Sequence, residues 1–359
     1  MMFRYRDEPT ARGILSRIKA LGVNLRLMHV CGTHQDTLVR FGLQDMLRDV
    51  GIEIRQGPGC PVCVTTSNEV AEAIALVESG KTLAVFGDML SVPTPVGSLS
   101  DAKARGGDVR VVYSVEDAVR MADLGKEVVF MAVGFETTSP STASVIAKGV
   151  PENFTVLSCH RLLPPALDAL FGLGEIRIDG LIEPGHVSTI LGVGPYQRIA
   201  ERWRIPQVIA GFEPLDILYA SYMLAKQVAE GRVEVENEYR RVVRKEGNPR
   251  ALGLIHRVFE AVDRPWRGFP VIPESALNPR AEFSGHDARV VHRNVVSGAA
   301  SVEDDVGPCR CGEVLRGLIV PSECPLFGGS CRPHTPMGPC MVSREGSCNI
   351  EFRFSSARG

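Results

Sequence analysis

The stretch Gly57-Pro58-Gly59-Cys60-Pro61-Val62-Cys63 constrains this chain more than any other. Its two thiols sit in a turn stiffened by proline and loosened by glycine. An apolar run precedes it (Ile52, Ile54), and a helix-like run follows (Val70, Ala71, Ile74, Ala75, Val77). Thr66-x-x-Glu69 reads as a capping box opening that helix. Cys60 and Cys63 are thereby expected just ahead of a helix N-terminus, where partial positive charge favours thiolate over thiol. A thiolate there can attack a disulfide or bind a soft metal. A structural zinc knuckle, or two inert loop cysteines, is the plainer reading of the same motif.

Around this motif runs a β-turn-α rhythm. Leu25–Val30, Ile52–Arg55, Leu83–Phe86 and Val109–Tyr113 read as buried strands with helical stretches between them. Val128–Val133, Phe154–Ser158, Leu181-Ile182 and Val208–Ala210 repeat the pattern, and a long helix follows from Leu215 to about Glu230. Thr33 with Asp36 is expected to cap the helix after the first strand. Such a rhythm argues for parallel, doubly wound sheets. Gly134-Phe135-Glu136 echoes Gly211-Phe212-Glu213, as two similarly built α/β units would. Four segments follow: a helical arm over 1–22, α/β units over 23–125 and 126–231, and a different region over 232–359. In that last region 232–262 reads as charged helix, 265–290 has no clear period, and Cys, Pro and Gly dominate from Gly307.

The chain has 359 residues, enough for two or three domains with a sizeable core. Lys+Arg 40 against Asp+Glu 42 leaves a formal charge of -2 without a basic cluster, which argues against a nucleic-acid partner. The polar start is unlike a secretory signal, and no apolar run approaches the ~20 residues of a membrane helix. The expectation is a soluble, cytoplasmic protein. In that compartment, 10 cysteines point to metal or redox chemistry rather than a disulfide framework.

Ligands of an open parallel sheet bind beyond the carboxyl ends of its strands, where the crossing direction reverses. Cys31/His34, Cys60/Cys63, Asp88, Glu136-Thr137-Thr138, Cys159/His160 and Glu183/His186 all fall at such ends. On one edge of adjoining sheets they would converge on a single cleft. Thiols and imidazoles suit iron, zinc or copper rather than magnesium, while the carboxylates can orient imidazoles or move protons. Each also has an ordinary reading. Cys31 can be a small buried hydrophobe, His34 a first-turn helix residue, Glu136 and Glu183 acceptors of backbone amides, and His186 a loop residue. Cys159 and His160 are read as structural. No Gly-x-Gly-x-x-Gly or Walker loop points to a nucleotide.

The C-terminal thiols are spaced irregularly: Cys309, Cys311, Cys324, Cys331, Cys340 and Cys348. Paired Cys-x2-Cys knuckles, usual in zinc ribbons, do not occur among them. An iron–sulfur cluster takes four thiolates, which leaves two for a dithiol/disulfide pair. Spacing does not say which four, and structural zinc with two spare thiols is the other reading.

At these residues the sequence resembles the HypD hydrogenase maturation family. The matching stretches are Met28-x-Val30-Cys31-Gly32-Thr33-His34, the Gly57–Cys63 motif, Gly134-Phe135-Glu136-Thr137-Thr138 and Glu183-Pro184-Gly185-His186-Val187-Ser188. Cys324-Pro325-Leu326-Phe327-Gly328 and Gly338-Pro339-Cys340-Met341-Val342-Ser343-x-Glu345-Gly346 continue the likeness to the tail. His29 stands where the family often has Glu. The resemblance implies two Rossmann-like parallel-sheet α/β domains plus a C-terminal, helical and loop-rich iron–sulfur domain on which the N-terminal arm packs. It implies a scaffold for the Fe(CN)2CO unit of [NiFe]-hydrogenases, working with the small chaperone HypC and with HypE as cyanide donor. Carried onto this chain, Cys309, Cys324, Cys331 and Cys348 would hold a [4Fe-4S] cluster, and Cys311 would pair with Cys340. Transient iron with cyanide and CO ligands would bind at Cys31, near Cys60/Cys63. His34, Glu136, Glu183 and His186 are then candidates for moving protons or orienting ligands. A freestanding iron–sulfur protein-disulfide reductase, or a zinc-stapled interaction module, would use fewer of these motifs.

Overall fold

A computed structural model describes residues 6–299, 302, 304 and 307–355. The first five residues of the expected 1–22 arm lie outside it. So do 300, 301, 303, 305, 306 and 356–359 of the expected 232–359 region.

The strands, in chain order, are β1 (Leu25–His29), β2 (Ile52–Gln56), β3 (Thr82–Val85), β4 (Val109–Val111), β5 (Val128–Gly134), β6 (Phe154–His160), β7 (Gly180–Pro184), β8 (Gln207–Ala210), β9 (Val235–Asn237), β10 (Phe259–Pro265) and β11 (Val271–Pro279). They form two parallel sheets, in the orders β2-β1-β7-β8-β9 and β4-β3-β5-β6, plus the antiparallel hairpin β10–β11. The mixed α/β class and the parallel pairing expected from the rhythm are both present. Every residue of β5 and of β6 is buried, as befits strands covered on both faces.

The strands do not divide at residue 125. The chain builds β1 and β2, crosses to lay down β3 to β6 as a second sheet, then returns to finish the first with β7, β8 and β9. The expected boundary between 23–125 and 126–231 therefore falls inside the second sheet. Alternating strands and helices carry no mark of which sheet a strand joins, so the sequential division was the simplest reading and not the real one. The Gly-Phe-Glu echo likewise marks non-equivalent places. Relabelled by order of addition, the first sheet runs 2-1-3-4-5 and the second 2-1-3-4, so β5 is third in its sheet and β8 fourth in its own.

Residues 232–359 are not set apart from the α/β body. β9 pairs with β8, and the hairpin lies along β6, where Leu162 N–H donates to Ser275 O at 2.9 Å. Within 232–262, read as charged helix, only Pro249–Val258 is helical. The N-terminal helix, Glu8–Ala20, is opened by Asp7, whose carboxylate accepts the Thr10 amide at 2.9 Å. Its Ile14 and Ile18 join Leu215 and Leu218 in one core. The described part of the arm packs chiefly on the Pro214–Ala229 helix, where the sequence led to an expectation of the C-terminal region, because that helix offers the matching apolar stripe.

Candidate functional site

Each parallel sheet has one place where the crossing direction reverses: between β1 and β7 in the first, between β3 and β5 in the second. The loops leaving all four strands line one cleft of about 270 Å³. Cys31 and Thr33 follow β1, His186 follows β7, Asp88 follows β3, and Thr137 and Thr138 follow β5. This is the location the rule for open α/β sheets specifies, doubled.

Cys31 caps the helix Gly32–Arg40 with extended backbone (φ -152°, ψ 129°). The expected Thr33/Asp36 cap does not form; Asp36 instead receives the Arg353 guanidinium at 3.1 Å. The helix begins at Gly32, two residues earlier than a cap at Thr33 would start it. Burial pushes the Cys31 thiol up to about 11, while the amides of His34 and Thr33 pull the other way. Such a thiol stays protonated until a metal displaces the proton.

Cys60 and Cys63 are fully buried, joined as a disulfide, with Cα atoms 5.2 Å apart. Cys60 caps the turn Pro61–Val64, its sulfur accepting the Cys63 amide at 3.2 Å. The next helix, Ser67–Glu78, carries the capping box read from Thr66 and Glu69. Gly59, Pro61 and Val62 line the cleft, so the disulfide lies directly behind its wall. Glu69 has a second task. With Arg161 at 2.5 Å and Arg289 at 3.7 Å, it anchors a buried ion network that also takes in Glu72. Those cations, with the Thr66 amide, outweigh burial and hold the Glu69 carboxyl down at about 2.

The other expected residues divide between the cleft and its hinterland. His186 lines the cleft as an exposed residue, its ring stacked on Phe212 with centroids 4.0 Å apart; partial desolvation lowers its pKa. His34 is fully buried and not among the lining side chains. Its Nε2–H donates to the Gly211 carbonyl at 2.9 Å, and burial lowers its pKa to about 3, so the imidazole is neutral. Glu136 accepts the amide of Leu163, first residue of the helix Leu163–Gly172, at 2.9 Å, and burial raises its carboxyl to about 7. Glu183 is fully buried with no partner for either oxygen among the described residues, and burial raises it to about 8. Burial, together with the charges of Glu183, Glu136 and Cys31, raises the Tyr196 phenol well above its ordinary value. Cys159 and His160 are buried in the core, His160 bonded to Thr142 at 3.1 Å.

Two cleft residues received no role from the sequence. Ser343 Oγ donates to Asp88 at 3.2 Å and accepts the Glu345 amide at 3.2 Å. Glu345 packs its backbone onto Gly32, beside Cys31. Burial and the Asp88 charge raise its carboxyl above the usual range. The signal was present, since Ser343-x-Glu345-Gly346 belongs to the family-like tail, but nothing local ties residue 345 to residue 31. The cleft therefore offers one thiol, one imidazole, two carboxylates and several hydroxyls. The thiol and the imidazole are donors of the kind a thiophilic metal takes, although no three His, Cys, Asp or Glu side chains among the described residues are grouped to hold a metal ion by themselves.

The six C-terminal cysteines, 309, 311, 324, 331, 340 and 348, all line one small cavity with Val314, Phe327 and Met341. They surround a common space, yet no three His, Cys, Asp or Glu side chains among the described residues close on a point as one metal ion requires. An all-thiol, apolar lining of this kind fits an iron–sulfur cluster as a donor set. Cys311 and Cys340 have their sulfurs 2.9 Å apart. Either thiol can donate to the other; this pairing lowers Cys311 below its ordinary value and raises Cys340 well above. Cys309 is pushed up to about 12 by burial. The turn Pro61–Val64 packs against both Cys311–Leu315 and Pro339–Val342, so the two dithiol elements touch.

Among the described residues no helix is long and apolar enough to cross a membrane. Residues 9–355 match the HypD family, described as "Hydrogenase formation hypA family". The chain is 43% identical to Hydrogenase maturation factor HypD2 of Bradyrhizobium diazoefficiens, over 99% of this chain and 96% of the relative. It is 42% identical to Hydrogenase maturation factor HypD of Rhizobium leguminosarum bv. viciae, over 99% and 95%. A hydrogenase expression/formation protein of Methanocaldococcus jannaschii is 41% identical, over 98% and 99%.

Proposed function

The chain belongs to the HypD family, whose named members serve hydrogenase maturation, and on that footing we propose that it assembles the Fe(CN)2CO unit of [NiFe]-hydrogenases. Iron is the cargo, bound through Cys31 together with a thiol of HypC, and cyanide arrives from HypE. The observation carrying this reading is the meeting of both sheet switch points at Cys31, with the Cys60–Cys63 disulfide directly behind the wall. A soft thiolate in a site of limited water access favours low-spin iron with strong-field ligands.

Cyanide delivered as a thiocyanate requires two electrons and two protons to leave a thiol and hydrogen cyanide, whose proton is released as cyanide binds iron. The Cys60/Cys63 dithiol supplies both and closes to the disulfide. The Cys311/Cys340 dithiol then restores it by thiol–disulfide exchange and is itself oxidised. Cys309, Cys324, Cys331 and Cys348 would hold a [4Fe-4S] cluster, which when bound would supply electrons one at a time to the Cys311–Cys340 disulfide beside it. His186, at the cleft surface, and the buried acids Glu136 and Glu183 hold protons near the cargo; neutral His34 fixes the Cys31 helix against the loop after β8. Work in the cytoplasm is part of the same proposal.

Anaerobically purified protein tests this reading. Brown colour with iron and sulfide, and infrared bands in the C–N and C–O stretching regions when HypC is co-expressed, are expected. Colourless, zinc-bearing protein without those bands contradicts it.

A further inference from the structure

The hairpin β10–β11 carries Trp266, Arg267 and Gly268 at its tip, and consecutive tip residues touch the two dithiol elements in turn. The Arg267 amide donates to the Val64 carbonyl at 2.9 Å, at the end of the Cys63 turn. Its guanidinium donates from Nε to the Thr65 carbonyl and from Nη1 to Ser67 Oγ, both at 3.1 Å, and Nη1 also meets Asp304 at 3.2 Å. The side chain is buried, and Nη2 has no partner among the described residues. An arginine buried this deeply, binding backbone carbonyls, acts as a fixed joint rather than a surface charge.

Gly268 faces the other way. It sits at φ 79°, and a β-carbon there would land on the Cα of Gly312, the neighbour of Cys311; one built on Gly312 would lie 2.8 Å from Gly268 Cα. The two backbones are in contact with no room for a side chain. The tip cannot drift, because Trp266 is fully buried, its indole N–H bonded to Ser275 at 3.0 Å and its ring packed 5.9 Å from Phe135. The tip is therefore a spacer of fixed length between the Cys63 turn and the Cys311 helix.

We propose that Arg267 and Gly268 set the approach of Cys63 to Cys311 and Cys340, with Arg267 the positioning residue of thiol–disulfide exchange between the two pairs. This rests on the exchange reading given above. In that step one sulfur of the Cys311/Cys340 dithiol attacks the Cys60–Cys63 disulfide, forming a mixed disulfide and releasing one thiolate. The second sulfur then resolves it. Two electrons and two protons pass to Cys60 and Cys63, and Cys311–Cys340 closes. Attack needs a sulfur aligned on the disulfide, so small displacements of either helix slow it steeply.

The test uses the whole chain carrying Cys60→Ser, oxidised with diamide, with Cys63–Cys311 and Cys63–Cys340 cross-links measured by peptide mass spectrometry. Adding Arg267→Met, or separately Gly268→Ala, is expected to slow cross-linking at least fivefold. With Cys60 intact, reduction of the Cys60–Cys63 disulfide by dithiothreitol should stay within twofold of the parent in both variants. Equal cross-linking with and without the tip substitutions overturns the proposal, as does faster dithiothreitol reduction, which marks general loosening. If Cys60→Ser alone forms no cross-link, the exchange reading itself fails and takes the proposal with it. Should Arg267→Met not fold, Gly268→Ala carries the test, because it leaves the guanidinium contacts in place.

Discussion

Gly59 and Cys31 are held backbone against backbone: a β-carbon at Gly59 would sit 2.5 Å from the Val30 carbonyl oxygen and closer still to the Cys31 nitrogen. The loop bearing Cys60–Cys63 reaches the metal-binding candidate only because position 59 has no side chain. Gly59→Ala should push the two loops apart, destabilising the fold by about 1–3 kcal/mol and lowering iron–cyanide loading. Chemical denaturation and infrared spectroscopy of one preparation check both effects; wild-type stability with full loading would contradict them.

Glu183 makes a pH prediction. Its folded carboxyl takes up a proton below about 8, whereas the unfolded chain does so only near the ordinary 4.5. Between those values the folded state binds more protons, so this group's contribution to stability declines as pH rises. Glu183→Gln removes that decline. Its stability advantage over wild type should grow from near nothing at pH 4.5 to on the order of 3 kcal/mol at pH 7. Urea titrations across that range decide it, and parallel pH curves would show that Glu183 has a partner in solution.

Arg161→Met tests the buried ion network behind the disulfide. It leaves Glu69 with Arg289 at 3.7 Å and the capping amide of Thr66. A loss near 3 kcal/mol is expected, the lower end for breaking a buried pair, against about 1 kcal/mol for Thr66→Ala at the cap. Calorimetric unfolding of the two variants measures the ordering, and the reverse order would contradict it.

The division of the C-terminal thiols predicts two classes of variant. Cys324→Ser should strip the visible absorption and most of the iron and sulfide. Cys311→Ser should keep both while blocking reduction of Cys60–Cys63. Metal and sulfide analysis, with thiol counting, separates the classes; loss of the chromophore in Cys311→Ser would redraw the ligand set.

Strands β1 to β8 were legible because nearly all are short apolar runs closed by Gly, Cys or Pro, whereas β9, β10 and β11 lie in stretches read as charged helix or as having no period; the Thr66–Glu69 box was legible because both partners lie within one turn. Cys31 and His186 stand out for a similar local reason, each at a strand end. What the sequence hid is long-range. Nothing at β5 says it joins β3 rather than β1, so the return of the chain to the first sheet was invisible. Glu345 approaching Gly32, and Arg267 clasping Thr65, depend on how distant loops settle. His34 shows the limit in the other direction: its neighbours suggested a cleft residue, while the Gly211 carbonyl holds it in the core.

The account's central claim is that Cys31 anchors an organometallic iron. Cys31→Ala, co-expressed with HypC and purified anaerobically beside the parent, tests it most directly. The account predicts loss of the infrared bands in the C–N and C–O stretching regions with the visible cluster absorption unchanged. Bands of parental intensity in the variant would contradict it.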